Sequence, residues 1–195
     1  VVPGANARMS PKVVDEHRHV LASAGMVLCQ LEIPMETLAH TLALCEELGV
    51  PVMLDPAPAA ALDEEVLRRV AWFTPNESET EFYLGRDCTS EEAASQLRAR
   101  GLRGIVLKRG ASGAFVADAS GKAAHVPGFA VEATDTVGAG DCFNGAFAVA
   151  LMEGMDPWAG ARFANAAAAL SVTGKGAQGA LPTRPQVNAL LARAS

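Results

Sequence analysis

Asp135-Thr136-Val137-Gly138-Ala139-Gly140-Asp141-Cys142-Phe143-Asn144-Gly145 sets two carboxylates around a run of residues with almost no side-chain bulk. Gly138, Ala139 and Gly140 let a backbone approach a phosphate closely, and the apolar stretch from Phe143 to Met152 behind them has helical spacing. A small-residue turn opening a helix offers unsatisfied N–H groups and the positive end of the helix dipole, both suited to charge developing on a transferring phosphoryl group. Asp141 falls in the first helical turn. A carboxylate beside an anion site is electrostatically awkward unless it takes a proton from a substrate hydroxyl, which points to a catalytic base. Read locally, the glycines fit a tight connection and Asp141 a helix cap equally well.

Other motifs fail on spacing. A dinucleotide fingerprint needs a third glycine where Phe143 stands. Gly174-Lys175-Gly176 lacks the upstream glycine and the Ser/Thr of a phosphate-binding P-loop. Gly110-Ala111-Ser112-Gly113 has Ala114 where a nucleophile elbow requires glycine.

The elements that must position this turn alternate between apolar runs and helical patterns. Strands are expected at Ala24 to Gln30, Pro51 to Leu54, Ala71 to Thr74 and Gly104 to Leu107. Helices are expected at Met35 to Leu48, Glu77 to Leu84 behind Asn76, and Ser90 to Arg100. Gly113 to Asp118 and Lys122 to Val126 read as a hairpin around Ser120-Gly121. Two final long helices, Asp141 to Glu153 and the alanine-rich Pro157 to Val172, close the chain, the second small enough in side chain for a very close helix neighbour. The pattern is the βαβ rhythm of a parallel sheet in a single compact domain of 195 residues. In such sheets active sites gather at the carboxyl ends of the strands, where the polar motifs of this chain fall.

Composition narrows the class. Half of the residues are hydrophobic and the net charge is −6, without a basic cluster, which argues against a general nucleic-acid binder. Cys29, Cys45, Cys88 and Cys142 are scattered and no His stands at metal-ligand spacing, so reduced thiols in a cytoplasmic protein are expected. Arg162 and Asn165 interrupt the alanine-rich segment, so no membrane span is expected. Val1-Val2-Pro3-Gly4 reads as the end of a strand running into a loop, and the start of the natural protein is expected to be missing.

The Asp135 to Gly145 segment resembles the signature of the ribokinase family, the PfkB-type carbohydrate kinases. Further matching segments are Pro3-Gly4-Ala5-Asn6, Gln30-Leu31-Glu32, Asp55-Pro56-Ala57-Pro58-Ala59, Thr74-Pro75-Asn76-Glu77, Val126-Pro127-Gly128-Phe129 and Lys175-Gly176-Ala177-Gln178. The Pro-Ala-Pro-Ala run and the last segment tilt the resemblance towards the ribose-phosphorylating branch. It implies an α/β, ribokinase-like three-layer αβα sandwich with a mostly parallel sheet, here without the N-terminal strands and the β-sheet lid. It also implies ATP-dependent phosphorylation of a sugar primary hydroxyl, D-ribose giving D-ribose 5-phosphate. Other branches of the family act as fructokinases, 2-keto-3-deoxygluconate kinases or nucleoside kinases, and a nucleotide-binding fragment without catalysis is the reading outside the enzymes.

By the resemblance, Asp141 matches the catalytic base, the Gly138, Ala139, Gly140 and Asp141 turn the anion hole, and Glu32 a carboxylate that binds sugar hydroxyls. Asn76 and Glu79 match a pair that organises phosphate and the magnesium hydration shell; read locally, Asn76 is a helix cap. Lys108, Gly110, Ala111, Ser112 and Gly113 match a loop touching nucleotide phosphates and ribose, with Lys108 where the family often has Thr. Asn165 matches a position beside the adenine. Asp135, Val137, Ser171, Gly174 and Gly176 match a monovalent-cation site, which implies potassium, and Ala180 stands where some relatives place a further ligand, Ser. His17, His19, His40 and His125 match no role and read as surface or packing residues. The implied cofactors are ATP, Mg2+ and K+, and the implied assembly is a homodimer of a full-length chain.

Overall fold

The computed structural model describes residues 4–194, so the strand end expected at Val1 to Pro3 lies outside the described residues. By internal contacts the chain divides into two compact units, Val1–Leu107 with Ala117–Gly121, and Lys108–Val116 with Lys122–Ser195.

The first unit carries α1 (Pro11–Glu16), α2 (Arg18–Ser23), β1 (Val27–Cys29), α3 (Met35–Leu48), β2 (Val52–Leu54), α4 (Glu64–Arg69), β3 (Trp72–Phe73), α5 (Glu77–Leu84), α6 (Ser90–Ala99) and β4 (Gly104–Lys108). The strands β1 to β4 pair in chain order and in parallel, with Cys29 opposite Leu54, Leu54 opposite Phe73 and Phe73 opposite Ile105. Val52, Met53, Leu54 and Phe73 are completely or almost completely buried. Strands this apolar and short are covered on both faces, as parallel sheets must be. The strand expected from Ala24 begins only at Val27, because the Ala24 N–H closes α2 on the Leu21 carbonyl. The sequence reading omitted α1, α2 and α4, each six residues long and too short for a periodic pattern to register. For α1 a signal existed: Ser10 accepts from the Val13 N–H ahead of Pro11 at the first helical position.

The second unit carries β5 (Gly113–Ala117), β6 (Ala123–Pro127), α7 (Ala139–Met152), α8 (Pro157–Ser171) and α9 (Arg184–Arg193). Strands β5 and β6 are hydrogen-bonded neighbours, and the turn joining them is held where Asp118 Oδ1 accepts from the Ser120 N–H and hydroxyl. The close helix contact expected of the alanine-rich segment is present: a Cβ at Gly160 of α8 would lie 3.3 Å from the Phe147 ring and 3.4 Å from Ala150 Cβ, both on α7. Cys142, Ala150, Phe163, Ala166, Ala167 and Val187 form the core of this unit. The final helix α9 corrects the expectation that α8 is the last. Its start is written in Thr183-Arg184-Pro185-Gln186, a capping box in which Gln186 Oε1 accepts from the Thr183 N–H and hydroxyl.

The half-buried thiol of Cys29 and the buried thiols of Cys45 and Cys142 are pushed above the usual cysteine range by desolvation, Cys29 to about 12. Such groups are poor nucleophiles at neutral pH. No helix among the described residues is long and apolar enough to cross a membrane.

Candidate active site

The turn into α7 is built by Gly138, the residue before the helix, whose φ of 79° lies in the left-handed region. A Cβ there would come within 2.9 Å of Ala177 Cβ, so glycine is required by conformation and by space. No side chain caps the helix. Its first-turn amides therefore keep the anion-binding capacity that intrahelical bonding leaves over. The Ala139 N–H makes a long turn bond, 3.3 Å, to the Thr136 carbonyl, and the Cys142 N–H returns to Gly138 at 2.9 Å.

The turn is tied to the segment that follows α8. The Thr134 and Asp135 N–H groups both donate to the Val172 carbonyl, at 2.7 and 3.1 Å. One oxygen of Asp135 accepts from the Val137 N–H and the other from the Gly176 N–H, both at 3.0 Å. These two bonds, to Val137 first, hold the Asp135 carboxyl below its ordinary range. Among the described residues no hydrogen bond is accepted by the carbonyls of Val137, Gly174 or Gly176. Ser171 turns its hydroxyl back to the Ala168 carbonyl at 2.8 Å. A Cβ on Gly174 would lie 2.8 Å from Ala180 Cβ, so Ala180 does stand beside this cluster.

Two clefts of the second unit share the first turn of α7. One, of about 510 Å³, is lined by Ala139 and Gly140, by Lys108 at the end of β4, by the turn residues Gly110, Ala111 and Gly113, and by Asn165 of α8. Its remaining wall is mostly apolar, with Phe129, Val131, Phe143 and Val172. Gly113, with φ of 95°, lets this turn press against the end of β6: a Cβ would sit 2.2 Å from the Val126 carbonyl oxygen. Ser112 does not line the cleft; its carbonyl accepts from His125 Nε2 at 2.8 Å and from the Gly128 N–H at 3.3 Å. The other cleft, of about 590 Å³, is lined by Gly138, Asp141, Gly145, Ala146, Gln178 and Arg184 among others. Asp141 is exposed to it, one turn below Gly145.

Of the residues expected at a nucleotide, Lys108, Gly110, Ala111, Gly113, Gly140 and Asn165 line one cleft, together with Ala139, expected in the anion hole, whereas Ser112 does not line it; the apolar wall was not read from the sequence, because its residues are far apart and carry no polar signature. Phe129 was visible within the Val126 to Phe129 match without an assigned role.

The remaining site residues belong to the first unit. Glu32 follows β1, exposed, and accepts from Asn6 Nδ2 at 3.2 Å. Asn76 and Glu79 form a complete capping box at the start of α5. The Glu79 N–H donates to Asn76 Oδ1 at 2.9 Å, while the two Glu79 oxygens accept from the Asn76 N–H at 2.7 Å and from Asn76 Nδ2 at 2.8 Å. Glu79 is buried, so these donors are its compensation for desolvation.

An α/β protein in which an uncapped glycine turn lies between an apolar cleft and a carboxylate-bearing one has the layout of a phosphoryl-transfer protein. Residues 1–184 match the pfkB family carbohydrate kinase pattern. The chain belongs to this family. It is 40% identical over 187 residues to the ribokinase of Haemophilus influenzae, covering 94% of this chain and 61% of that protein. With the ribokinase of Bacillus subtilis the identity is 41% over 191 residues, covering 98% and 63%. With the deoxyribokinase of Salmonella typhi it is 36% over 196 residues, covering 98% and 64%. The chain thus spans a little over three fifths of the length of these relatives. Among solved structures, it superposes on the ribokinase of Thermotoga maritima with a TM-score of 0.87 at 39% identity, covering 97% of this chain and 63% of that one. The Arabidopsis thaliana ribokinase complexed with ribose and ATP gives the same TM-score and coverage at 33% identity. These similarities show the mixed α/β, mostly parallel fold expected from the sequence.

Proposed function

We propose that the chain is the nucleotide-binding and catalytic part of a cytoplasmic, ATP-dependent sugar kinase, with D-ribose as its substrate and D-ribose 5-phosphate and ADP as products. The observation that carries this reading is the first turn of α7, which presents backbone to the apolar cleft and Asp141 to the other. A base in the apolar cleft would leave its phosphates near Lys108 and the Gly138 to Asp141 turn. Asp141 would take the proton of the sugar's primary hydroxyl as that oxygen attacks the γ-phosphorus, and the turn amides would receive the charge on the transferring group. Both groups act by position and preorganised electrostatics, the usual division of labour in phosphoryl transfer.

Among the described residues no three acidic, His or Cys side chains gather as a metal site. Magnesium would then be held chiefly by the nucleotide phosphates, with Asn76 and Glu79 assigned to its hydration shell by family resemblance. The unclaimed carbonyls of Val137, Gly174 and Gly176, with Asp135 and Ser171, suit a weakly hydrated monovalent cation such as potassium. Bound there, the ion would supply fixed positive charge next to the turn. Glu32 would bind sugar hydroxyls, and the homodimer implied by the resemblance belongs to the same proposal for a longer chain.

The test is ADP release with magnesium and potassium present, comparing ribose with 2-deoxyribose, fructose, 2-keto-3-deoxygluconate and adenosine. Ribose-selective turnover that falls by about 10³-fold or more in Asp141→Asn, with the fold retained, is the expected outcome, given what a positioned base and its electrostatics contribute together. Turnover unchanged in Asp141→Asn removes the base assignment. The chain's span of only 61–64% of its relatives favours one second reading, a nucleotide-binding part that turns over no sugar alone. ATP binding without turnover would select it.

A further inference from the structure

We infer that His125, a histidine with no part in the kinase reading so far, is a positioning residue: from the outer strand β6 its Nε2–H holds the glycine turn between β4 and β5 in the shape that meets the apolar cleft. This rests on the reading of that cleft as a nucleotide site. The turn, residues 109–113, has little rigidity of its own. Gly110 and Gly113 stand at φ of 51° and 95°, conformations that glycine enters without strain and leaves as easily. Two internal backbone bonds close it, from the Ser112 N–H to the Arg109 carbonyl at 3.0 Å and from the Arg109 N–H to the Gly113 carbonyl at 2.8 Å. Further support comes from the end of β6, on which the turn lies flat: a Cβ on Gly128 would be 2.3 Å from the Ala111 carbonyl oxygen, and one on Gly113 2.4 Å from the Gly128 nitrogen. There the Ser112 carbonyl accepts twice, and the bond from His125 Nε2, at 2.8 Å, is shorter than the 3.3 Å bond from the Gly128 N–H. A carbonyl only accepts, so Nε2 must carry the hydrogen. The end of β6 is in turn fixed to α8, where Asn165 Nδ2 donates to the Val126 and Pro127 carbonyls at 3.1 Å each.

Drawing the Ser112 carbonyl towards β6 decides which part of the turn meets the cleft: Gly110, Ala111 and Gly113 line it, and Ser112 does not. Without the imidazole donor, the Ser112 carbonyl keeps only the long backbone bond. Ser112 and His125 are both exposed, so water replaces the lost partner and the folded chain loses little stability. The turn, however, is then free to adopt other shapes, and the cost of ordering it again falls on nucleotide binding. A small effect on stability beside a larger one on affinity is the signature of this arrangement.

The experiment measures the dissociation constant for ATP with magnesium by calorimetry, and the melting temperature, of the unaltered chain, His125→Leu and His125→Gln. His125→Leu should weaken ATP about fivefold, the scale of one neutral hydrogen bond, while its melting temperature moves by no more than about 2 °C, as for an ordinary surface substitution. Glutamine places an amide Nε2–H donor within reach of the same carbonyl, so His125→Gln should bind ATP to within about twofold of the unaltered chain. A leucine variant that melts lower yet binds ATP as the unaltered chain does has lost a merely structural bond, and overturns the inference. Equal weakening in both variants overturns it too, because the donor is then not what matters. Nitrogen-15 imidazole shifts of the unaltered chain need no variant to fold: His125 protonated at Nε2 is expected, and a neutral ring protonated at Nδ1 overturns the inference. Each of these outcomes leaves the kinase reading standing, whereas an unaltered chain that binds no ATP overturns the nucleotide reading and the inference with it.

Discussion

Gly138→Ala tests whether the turn that opens α7 has the conformation on which the site depends. The substitution adds one carbon, and two costs follow. At φ of 79° an L-residue is in the left-handed region, worth roughly 1–2 kcal/mol. The new Cβ also lies 2.9 Å from Ala177 Cβ and 3.2 Å from Ala177 Cα, and inserting a methyl into a filled space typically costs about 1–3 kcal/mol. The total is roughly 2–5 kcal/mol, which for a chain of this size corresponds to a fall of about 4–20 °C in melting temperature. Gly145→Ala is the internal control, on the same helix two turns further on. It is in the helix interior with nothing within 4 Å of its added Cβ, so alanine should gain about 0.5–1 kcal/mol of helix propensity. Because Gly145 lines the cleft that holds Asp141, the same variant should raise the melting temperature while weakening sugar use. Thermal unfolding followed by circular dichroism measures both. Gly138→Ala melting at or above the unaltered chain would refute the left-handed turn, and Gly145→Ala melting lower would refute the open space beside α7.

Asn76→Ala should cost about 1–2 kcal/mol, since it dismantles the capping box and leaves the buried Glu79 with fewer donors; Asn76→Ser should recover much of the cap in urea unfolding, and a drop in nucleotide affinity that Ser does not recover would mark a role beyond capping. Arg18 makes two hydrogen bonds to Glu47, at 2.7 and 3.2 Å, and these hold the Glu47 carboxyl below its ordinary value. Because the folded pKa is the lower one, the contribution is present above the unfolded glutamate value of about 4.3 and is lost as pH falls through the folded pKa. Urea midpoints of the unaltered chain and Arg18→Gln should therefore differ slightly near neutral pH and converge in acid; a difference that grows in acid contradicts the pairing.

What was legible in the sequence and what was not divides along physical lines. Met35–Leu48 and Glu77–Leu84 were read to the residue because each has an unambiguous stop, Gly49 and Gly85, both at φ of 70°. The turn at Gly138 was legible because only small residues satisfy both its dihedral and its clearance from Ala177. The helix α9 was missed although Thr183 and Gln186 announce it, because its apolar face is thin, Val187, Leu190 and Leu191, and much of its hold comes from the core it joins. The role of Asn165 was only half legible. Its residue type says that it can donate and accept. Which of these it offers the cleft is decided by the carbonyls of Val126 and Pro127, nearly forty residues earlier in the chain, and no local pattern in α8 encodes that. The same holds for Asp135, where the type suggests a charged ligand while the fold spends its two oxygens on the amides of Val137 and Gly176. A cation at that cluster would have to be held mainly by the carbonyls of Val137, Gly174 and Gly176, with Asp135 fixing the loops that carry them, so charge and scaffold are supplied by different atoms of the same short segments.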